Sequence, residues 1–325
     1  MADLTTSYMG LSLRNPVIAG SSGLMKSLDN LRAAEDAGAG AVVLKSIFEE
    51  QILMEIKQGL NASDLGMHPE AFDYLSRLTR EHSIDSHLNL IHSARAALEI
   101  PVIASIHCIS SGDWIEYSRR MENAGAHALE LNVLMSSLGF DDSSTIEQRY
   151  FELIDSVHQV VNIPVALKIG TQFTNLPKII QSLSQRAEAL VLFNRYWSPD
   201  IDLDNRTIIP APPFSQPSEI SGPLRWIAIM SDQVECDLCG STGVHDAGSA
   251  LKLIMAGAKT VQLCSVLYQK GISFLTELIR NMDSWLEQHQ YSHVSEVRST
   301  MRAISPKEMA VWGRTQFMKY YSELE

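Results

Sequence analysis

Ala37-Gly38-Ala39-Gly40-Ala41-Val42-Val43-Leu44-Lys45 is the stretch that decides the fold. Glycine after a helix-forming run accepts the left-handed backbone that ends a helix. The apolar run behind it is too short for a helix and rich in Val and Leu, and reads as a strand buried on both faces of a parallel sheet. The phrase returns twice: Ala124-Gly125-Ala126 leads into Leu129-Glu130-Leu131-Asn132, and Ala256-Gly257-Ala258 leads into Thr260-Val261-Gln262-Leu263-Cys264-Ser265. Each run closes on a polar residue, Lys45, Asn132 or Ser265. In a barrel of parallel strands, chemistry is placed at that end.

Outward from these three, Pro16 to Gly20, Pro101 to Ser105, Pro164 to Lys168, Ala189 to Phe193 and Glu235 to Cys239 complete eight predicted strands. Helical spacing fills most of the gaps, as in Asp113 to Ala124, Glu147 to Val161, Leu176 to Ala187 and Ala247 to Ala256. The pattern predicts an α/β chain folded as a single (β/α)8 TIM barrel domain over residues 1–325. An open doubly wound sheet is the competing reading, but its Gly-x-Gly-x-x-Gly after the first strand is missing. Thr5 to Arg14, with Gly10 in its middle, reads as a hairpin that plugs the N-terminal mouth. Ser46 to His82 and the Pro-rich Asn194 to Gly222 are insertions after strand C-termini, over the C-terminal face; loops this long are usually functional. Ile272 to Leu324 reads as helices that close the barrel and extend beyond it.

With 45% hydrophobic and 20% charged residues, the 325-residue chain has the composition of a soluble globular protein. A net charge of -12 argues against nucleic acid, whose phosphates are met by Lys and Arg. No signal peptide and no run of membrane-spanning length is visible, and four cysteines fit a reducing compartment. The expectation is a cytoplasmic protein with no membrane and no nucleic-acid partner.

Gly240-Ser241-Thr242-Gly243 and Cys264-Ser265 follow the seventh and eighth strands, the customary phosphate site of this fold. Bare amides and hydroxyls approach phosphate oxygens there; the plainer reading is tight turns. Lys45 and Lys168, at strand ends, suggest an anionic ligand or developing negative charge, against the alternative that both reach to solvent at the rim. Asn132 and Asn194 offer donor and acceptor to a ring carrying carbonyl and N–H groups, or else make turns. His107 and Cys108, after the third strand, are further candidates for the pocket wall. Cys236 and Cys239 form a Cys-x-x-Cys, but residues three apart in a strand face opposite ways and no second pair exists, so no metal site is expected.

Together these residues resemble the dihydroorotate dehydrogenase family, and most of all its soluble class 1 branch, over nearly the whole chain. The resemblance rests on Asn15-Pro16-Val17 through Gly23, Gly40 to Ser46, Leu129 to Val133, Pro164 to Lys168, Ser221-Gly222-Pro223, Gly240 to Gly243 and Gln262 to Ser265. It implies a flavoprotein barrel that holds FMN and converts dihydroorotate to orotate in pyrimidine biosynthesis. On that footing Ala19, Gly20, Ser21, Lys45 and Ser46 lie along the flavin, and Gly222, Gly240, Ser241, Gly243, Cys264 and Ser265 surround its phosphate. Lys168 sits beside the flavin's pyrimidine end and stabilises the negative charge of the reduced ring. Asn132 and Asn194 hold the substrate, with Lys45 and Asn132 touching substrate and cofactor alike. A homodimer is also implied.

The class 1 pattern places Ser-Cys-Pro-Asn after the fourth strand, with the cysteine as base. Here Leu134-Met135-Ser136-Ser137 stands there, so Met135, which accepts no proton at neutral pH, takes the base position. Three expectations follow. The chain is a dihydroorotate dehydrogenase in which Ser136 or Ser137 replaces the base; or an FMN oxidoreductase acting on another carbonyl-bearing or anionic substrate; or a flavin-binding scaffold or partner subunit without turnover.

Overall fold

The computed structural model describes residues 2–48, 69–107, 111–135, 142–196 and 198–313. Thirteen strands are numbered along the chain: β1 (Thr6–Tyr8), β2 (Leu11–Leu13), β3 (Val17–Ala19), β4 (Ala41–Val43), β5 (Ile47–Phe48), β6 (Val102–His107), β7 (Ala128–Asn132), β8 (Val165–Ile169), β9 (Ala189–Leu192), β10 (Pro199–Asp202), β11 (Thr207–Pro210), β12 (Asp237–Ser241) and β13 (Thr260–Leu263). β3, β4, β6, β7, β8, β9, β12 and β13 pair in parallel in that circular order, β13 closing on β3. This is the (β/α)8 barrel the sequence predicts. β5 extends the sheet past the end of β4, pairing Phe48 with His107. One correction concerns the seventh barrel strand, which runs from Asp237 rather than Glu235 because pairing with Ala189 of β9 begins there.

Alternation along the strands sorts side chains into two layers. Val17, Val42, Ala104, Leu131, Leu167, Leu190 and Leu263 face the surrounding helices. Ile18, Ala41, Val43, Ile103, Ala128, Ala166, Ala189, Val191 and Cys239 face the barrel axis. Four of those nine inward positions are alanine, which leaves room at the bottom of the barrel. The β1–β2 hairpin fills it with Tyr8, Met9 and Leu13. Met9 and Gly10, at φ 53 and 76, make the two-residue turn whose twist suits a hairpin. The Met9 amide donates to Asp237 Oδ2 at 2.9 Å, tying the plug to the start of β12. The expected hairpin plug is therefore present.

The three Ala-Gly-Ala phrases share one geometry. Gly38, Gly125 and Gly257 have φ of 100, 98 and 127, and the alanine after each donates to a carbonyl five residues back, Ala34, Met121 and Leu253 respectively. That bond closes a Schellman cap and turns the chain into the next strand. The first described residues are tied to the segment 283–294: the Ala2 amide donates to Asp283 Oδ1 at 2.6 Å, and Asp3 and Val294 exchange backbone bonds with Ser292 and Asp3 at 2.8 and 2.9 Å. Of the insertion after β4, the described part is β5 and the helix Pro69–Ala97; of the insertion after β9, the antiparallel β10–β11 ribbon stands out. Among the described residues no helix is long and apolar enough to cross a membrane.

Candidate active site

Inward positions change character toward the C-terminal ends of the strands. Ser105 and His107 on β6, Glu130 and Asn132 on β7, Lys168 on β8, Ser241 on β12 and Gln262 on β13 continue the inward register of the apolar layer below, and Asn132 pairs with Lys168 across the sheet. Lys168 is 5% exposed, so it does not reach to solvent at the rim. Its Nζ donates to Gln262 Oε1 at 2.9 Å and stands 3.6 Å from Glu130 Oε1. Gln262 Nε2 in turn donates to Glu130 Oε2, closing a three-membered ring of side chains. Burial presses the Lys168 ammonium downward, but Glu130 first, and then the nearby Cys264 and Cys239, together outweigh it, and its pKa lies above the ordinary lysine value.

Above this ring opens a cavity of about 350 Å³ lined by Ser21, Ser22, Lys168, Asn194, Phe214, Ser215, Ser241, Thr242, Gly243, Gln262, Cys264, Ser265 and Tyr268, with Arg195, Pro213 and Val244. Thr242 and Gly243, both lining this cavity, follow one another at φ 76 and 78, a tight cradle of left-handed backbone at the end of β12. For a β-branched residue this φ is an outlier of the kind found at ligand sites. Any side chain at Gly243 would overlap the backbone of Ile220, just before the helix Ser221–Met230. The cradle is thus built where only glycine fits, beside a helix N-terminus and the Ser241 and Ser265 hydroxyls. Such donors suit a phosphate, and the cavity's polar wall fits the phosphate-bearing end of a flavin nucleotide.

Around the rim, Ser21, Ser46 and Ser105 form a hydroxyl chain, with Oγ separations of 3.1 and 2.7 Å. Gly20 leaves the space that Cys264 Sγ fills, since a Cβ there would stand 2.6 Å from the sulfur. Asn194 Nδ2 donates to Asn132 Oδ1 at 2.7 Å, joining the two asparagines. His107 Nδ1 lies 2.7 Å from the Asn132 carbonyl and must donate to it, since a carbonyl oxygen only accepts. The Ser265 hydroxyl accepts from the Ser215 amide at 2.9 Å, and Ser215 Oγ lies 3.0 Å from His245 Nε2. Burial holds His245 below the ordinary histidine value.

Several expected residues stand back from the cavity. Ala19 faces the helix layer. Gly240 lies inside β12, where a Cβ would come within 2.7 Å of Leu253 Cδ1; helix packing explains its size. Gly222 is the second residue of the helix Ser221–Met230, with open space around its α-carbon. Lys45 is half-buried, and its charge, with burial the larger cause, pushes nearby His87 down to about 4. Met135 is packed against the core, its amide donating to Tyr150 Oη at 3.3 Å, beside a second cavity of about 200 Å³ that includes Tyr196 and Phe173. Ser136, Ser137 and Cys108 lie outside the described residues. Cys239 faces the axis and Cys236 the helix layer, both as free thiols, and no group that could hold a metal occurs among the described residues.

Sequence reasoning missed Glu130 and Gln262 as site residues, although each is a lone polar residue at an inward position of an apolar strand. The strap over the cavity belongs to the expected Asn194 to Gly222 insertion, but its anchor was missed. Arg195 holds that strap by donating to the carbonyls of Pro212 and Pro213 at 3.1 and 3.0 Å and to Glu219 Oε2 at 3.0 Å, which places Phe214 against Tyr268. No local pattern announces those contacts.

A parallel barrel with a buried lysine, paired asparagines and a glycine-built polar cradle at its C-terminal mouth has the architecture of a (β/α)8 enzyme with an anion-accepting site. A model of the family described as "Dihydroorotate dehydrogenase" matches residues 3–286, and the chain belongs to that family. Similar relatives include the "Dihydroorotate dehydrogenase B (NAD(+)), catalytic subunit" of Thermoplasma acidophilum, 25% identical over 91% of this chain and 98% of the relative. The proteins of the same name from Thermoplasma volcanium and Methanothermobacter thermautotrophicus are 24% and 26% identical, over 91% and 90% of this chain and 98% and 97% of their own lengths.

Proposed function

We propose that the chain is an FMN-dependent dehydrogenase that removes two hydrogens from dihydroorotate or a close dihydropyrimidine. The observation that carries this reading is the coexistence, in one cavity, of the Thr242–Gly243 cradle and the buried Lys168. When bound, the flavin would supply a two-electron acceptor. Ser241, Gly243 and Ser265 would hold its phosphate, and Gly20, Ser21, Ser46 and Cys264 would line its length. Lys168 places a fixed positive charge where negative charge develops. The joined Asn132 and Asn194 amides, with Lys45, would orient the substrate ring. Proton removal falls to Ser136 or Ser137, or to His107, whose ring is held by the bond from Nδ1 to the Asn132 carbonyl.

A second reading, an FMN oxidoreductase acting on another carbonyl-bearing or anionic substrate, is favoured by Met135 at the base position. The relatives named as catalytic subunits support a partner subunit for this chain too. The test is the anaerobic visible spectrum of the purified protein before and after dihydroorotate. Rapid bleaching of a flavin spectrum is expected. A flavin that persists moves the substrate elsewhere, and a chain that takes up no FMN at all overturns the cofactor assignment.

A further inference from the structure

Glu130 is 1% exposed, lies one inward position below Asn132 on β7, and belongs to no part of the proposed chemistry. A carboxylate so deep in a barrel is costly unless a cation answers it. Here the cation is Lys168, 3.6 Å away, and Gln262 bridges the two. Both protein partners of Lys168 Nζ lie in this ring, and the same lysine lines the cavity above. The other titratable groups facing the pair are the Cys239 and Cys264 thiols from β12 and the end of β13, and the Tyr8 phenol from the plug. Burial raises the pKa of all three, so they are neutral at neutral pH and Glu130 is the one carboxyl in the group.

We infer that Glu130 is a positioning residue: with Gln262 it holds Lys168 Nζ on the barrel axis beneath the mouth and keeps it an ammonium in both oxidation states of the bound flavin. The inference rests on the proposed cofactor reading. Lysine then takes up no proton when the cofactor is reduced. Without Glu130, burial leaves Lys168 neutral beside the oxidised flavin, and it gains a proton only when negative charge appears above it.

The test is potentiometry of the FMN-loaded wild type and Glu130→Gln from about pH 6 to about 9. In the variant, reduction should take up one proton more, which steepens the midpoint potential by about 29.6 mV per pH unit for a two-electron couple. Equal slopes in the two proteins would overturn the inference. Should the variant fail to fold, the Lys168 Cε signal of the flavin-free wild type, assigned by its disappearance in Lys168→Arg, decides the matter. Titration above the ordinary lysine value supports the role of Glu130, and titration below it removes that role. A wild type that binds no FMN would refute the cofactor reading, while the lysine titration still judges Glu130.

Discussion

Replacing Lys168 with Met should convert a pH-insensitive part of the barrel's stability into a strongly pH-dependent one. The substitution keeps the volume but leaves Glu130, 1% exposed, with only the Gln262 amide. The carboxyl escapes by taking a proton, and its folded-state pKa rises above the unfolded value of about 4.3. A carboxyl raised in this way has stability that declines as pH rises above the unfolded value. Holding it protonated costs about 3.7 kcal/mol at pH 7 but about 1 kcal/mol at pH 5, at 1.36 kcal/mol per unit. The lost bond from Lys168 to Gln262, 2.9 Å long, adds about 1 kcal/mol at either pH. Wild-type Lys168 contributes no slope in this window, because a raised lysine keeps its full contribution below about 10.4. Urea melts of both flavin-free proteins at the two pH values should therefore show a gap near 5 kcal/mol at pH 7, narrowing by about 2.7 kcal/mol at pH 5. Lys168→Met with Glu130→Gln should show no such narrowing. A gap that does not change between pH 5 and pH 7 would refute the claim that the two charges answer one another.

Gly243→Ala forces a left-handed alanine, at a cost of about 1–2 kcal/mol, and pushes its Cβ against Ile220; flavin fluorescence quenching should report at least about tenfold weaker FMN binding, and unchanged affinity would place the phosphate elsewhere. Tyr8→Phe should leave stability within about 1 kcal/mol of wild type, because the Tyr8 hydroxyl is buried without a hydrogen-bond partner, whereas Tyr8→Ala should cost about 3–5 kcal/mol in the same melts. Burial pushes the Cys236 and Cys239 thiols up to about 12, so iodoacetamide at pH 8 should spare both in the native chain and label both in urea; mass spectrometry showing rapid native labelling would contradict the packing. His87, pushed down to about 4 by burial and then by Lys45, makes the folded chain lose stability as pH falls through the window from about 6.5 to 4, since the unfolded state takes up the proton first; His87→Gln should flatten that limb by up to about 1.4 kcal/mol per pH unit.

What the sequence reveals is what local physics determines. The Ala-Gly-Ala phrases are legible because a left-handed cap needs glycine whatever surrounds it, and Gly38, Gly125 and Gly257 all adopt it. Lys168, Asn132 and Asn194 are legible because a polar residue at the end of an apolar run must face somewhere wet or functional. Glu130 and Gln262 obey the same period-two rule but sit inside their runs, where flanking apolar residues hide them; their meaning depends on a partner 132 residues away. The strap held by Arg195 and the Ser215–His245 contact depend on tertiary proximity alone. β12 begins two residues late because Asp237 serves the plug and Lys259, a contact the run from Glu235 does not signal.

The hairpin at the barrel floor also fixes the order of events during synthesis. Residues 6–13 emerge first, yet Tyr8 and Met9 pack on inward residues as distant as Val191 and Cys239, and Asp3 is stitched to Val294. At about 5–20 residues per second, the ribosome delivers those partners on the order of tens of seconds later. Until then the nascent chain carries an unplaced apolar hairpin and an alanine-lined opening that nothing fills. The floor's contacts with β9 and β12 can form only once those strands are made, so it is completed after most of the ring exists.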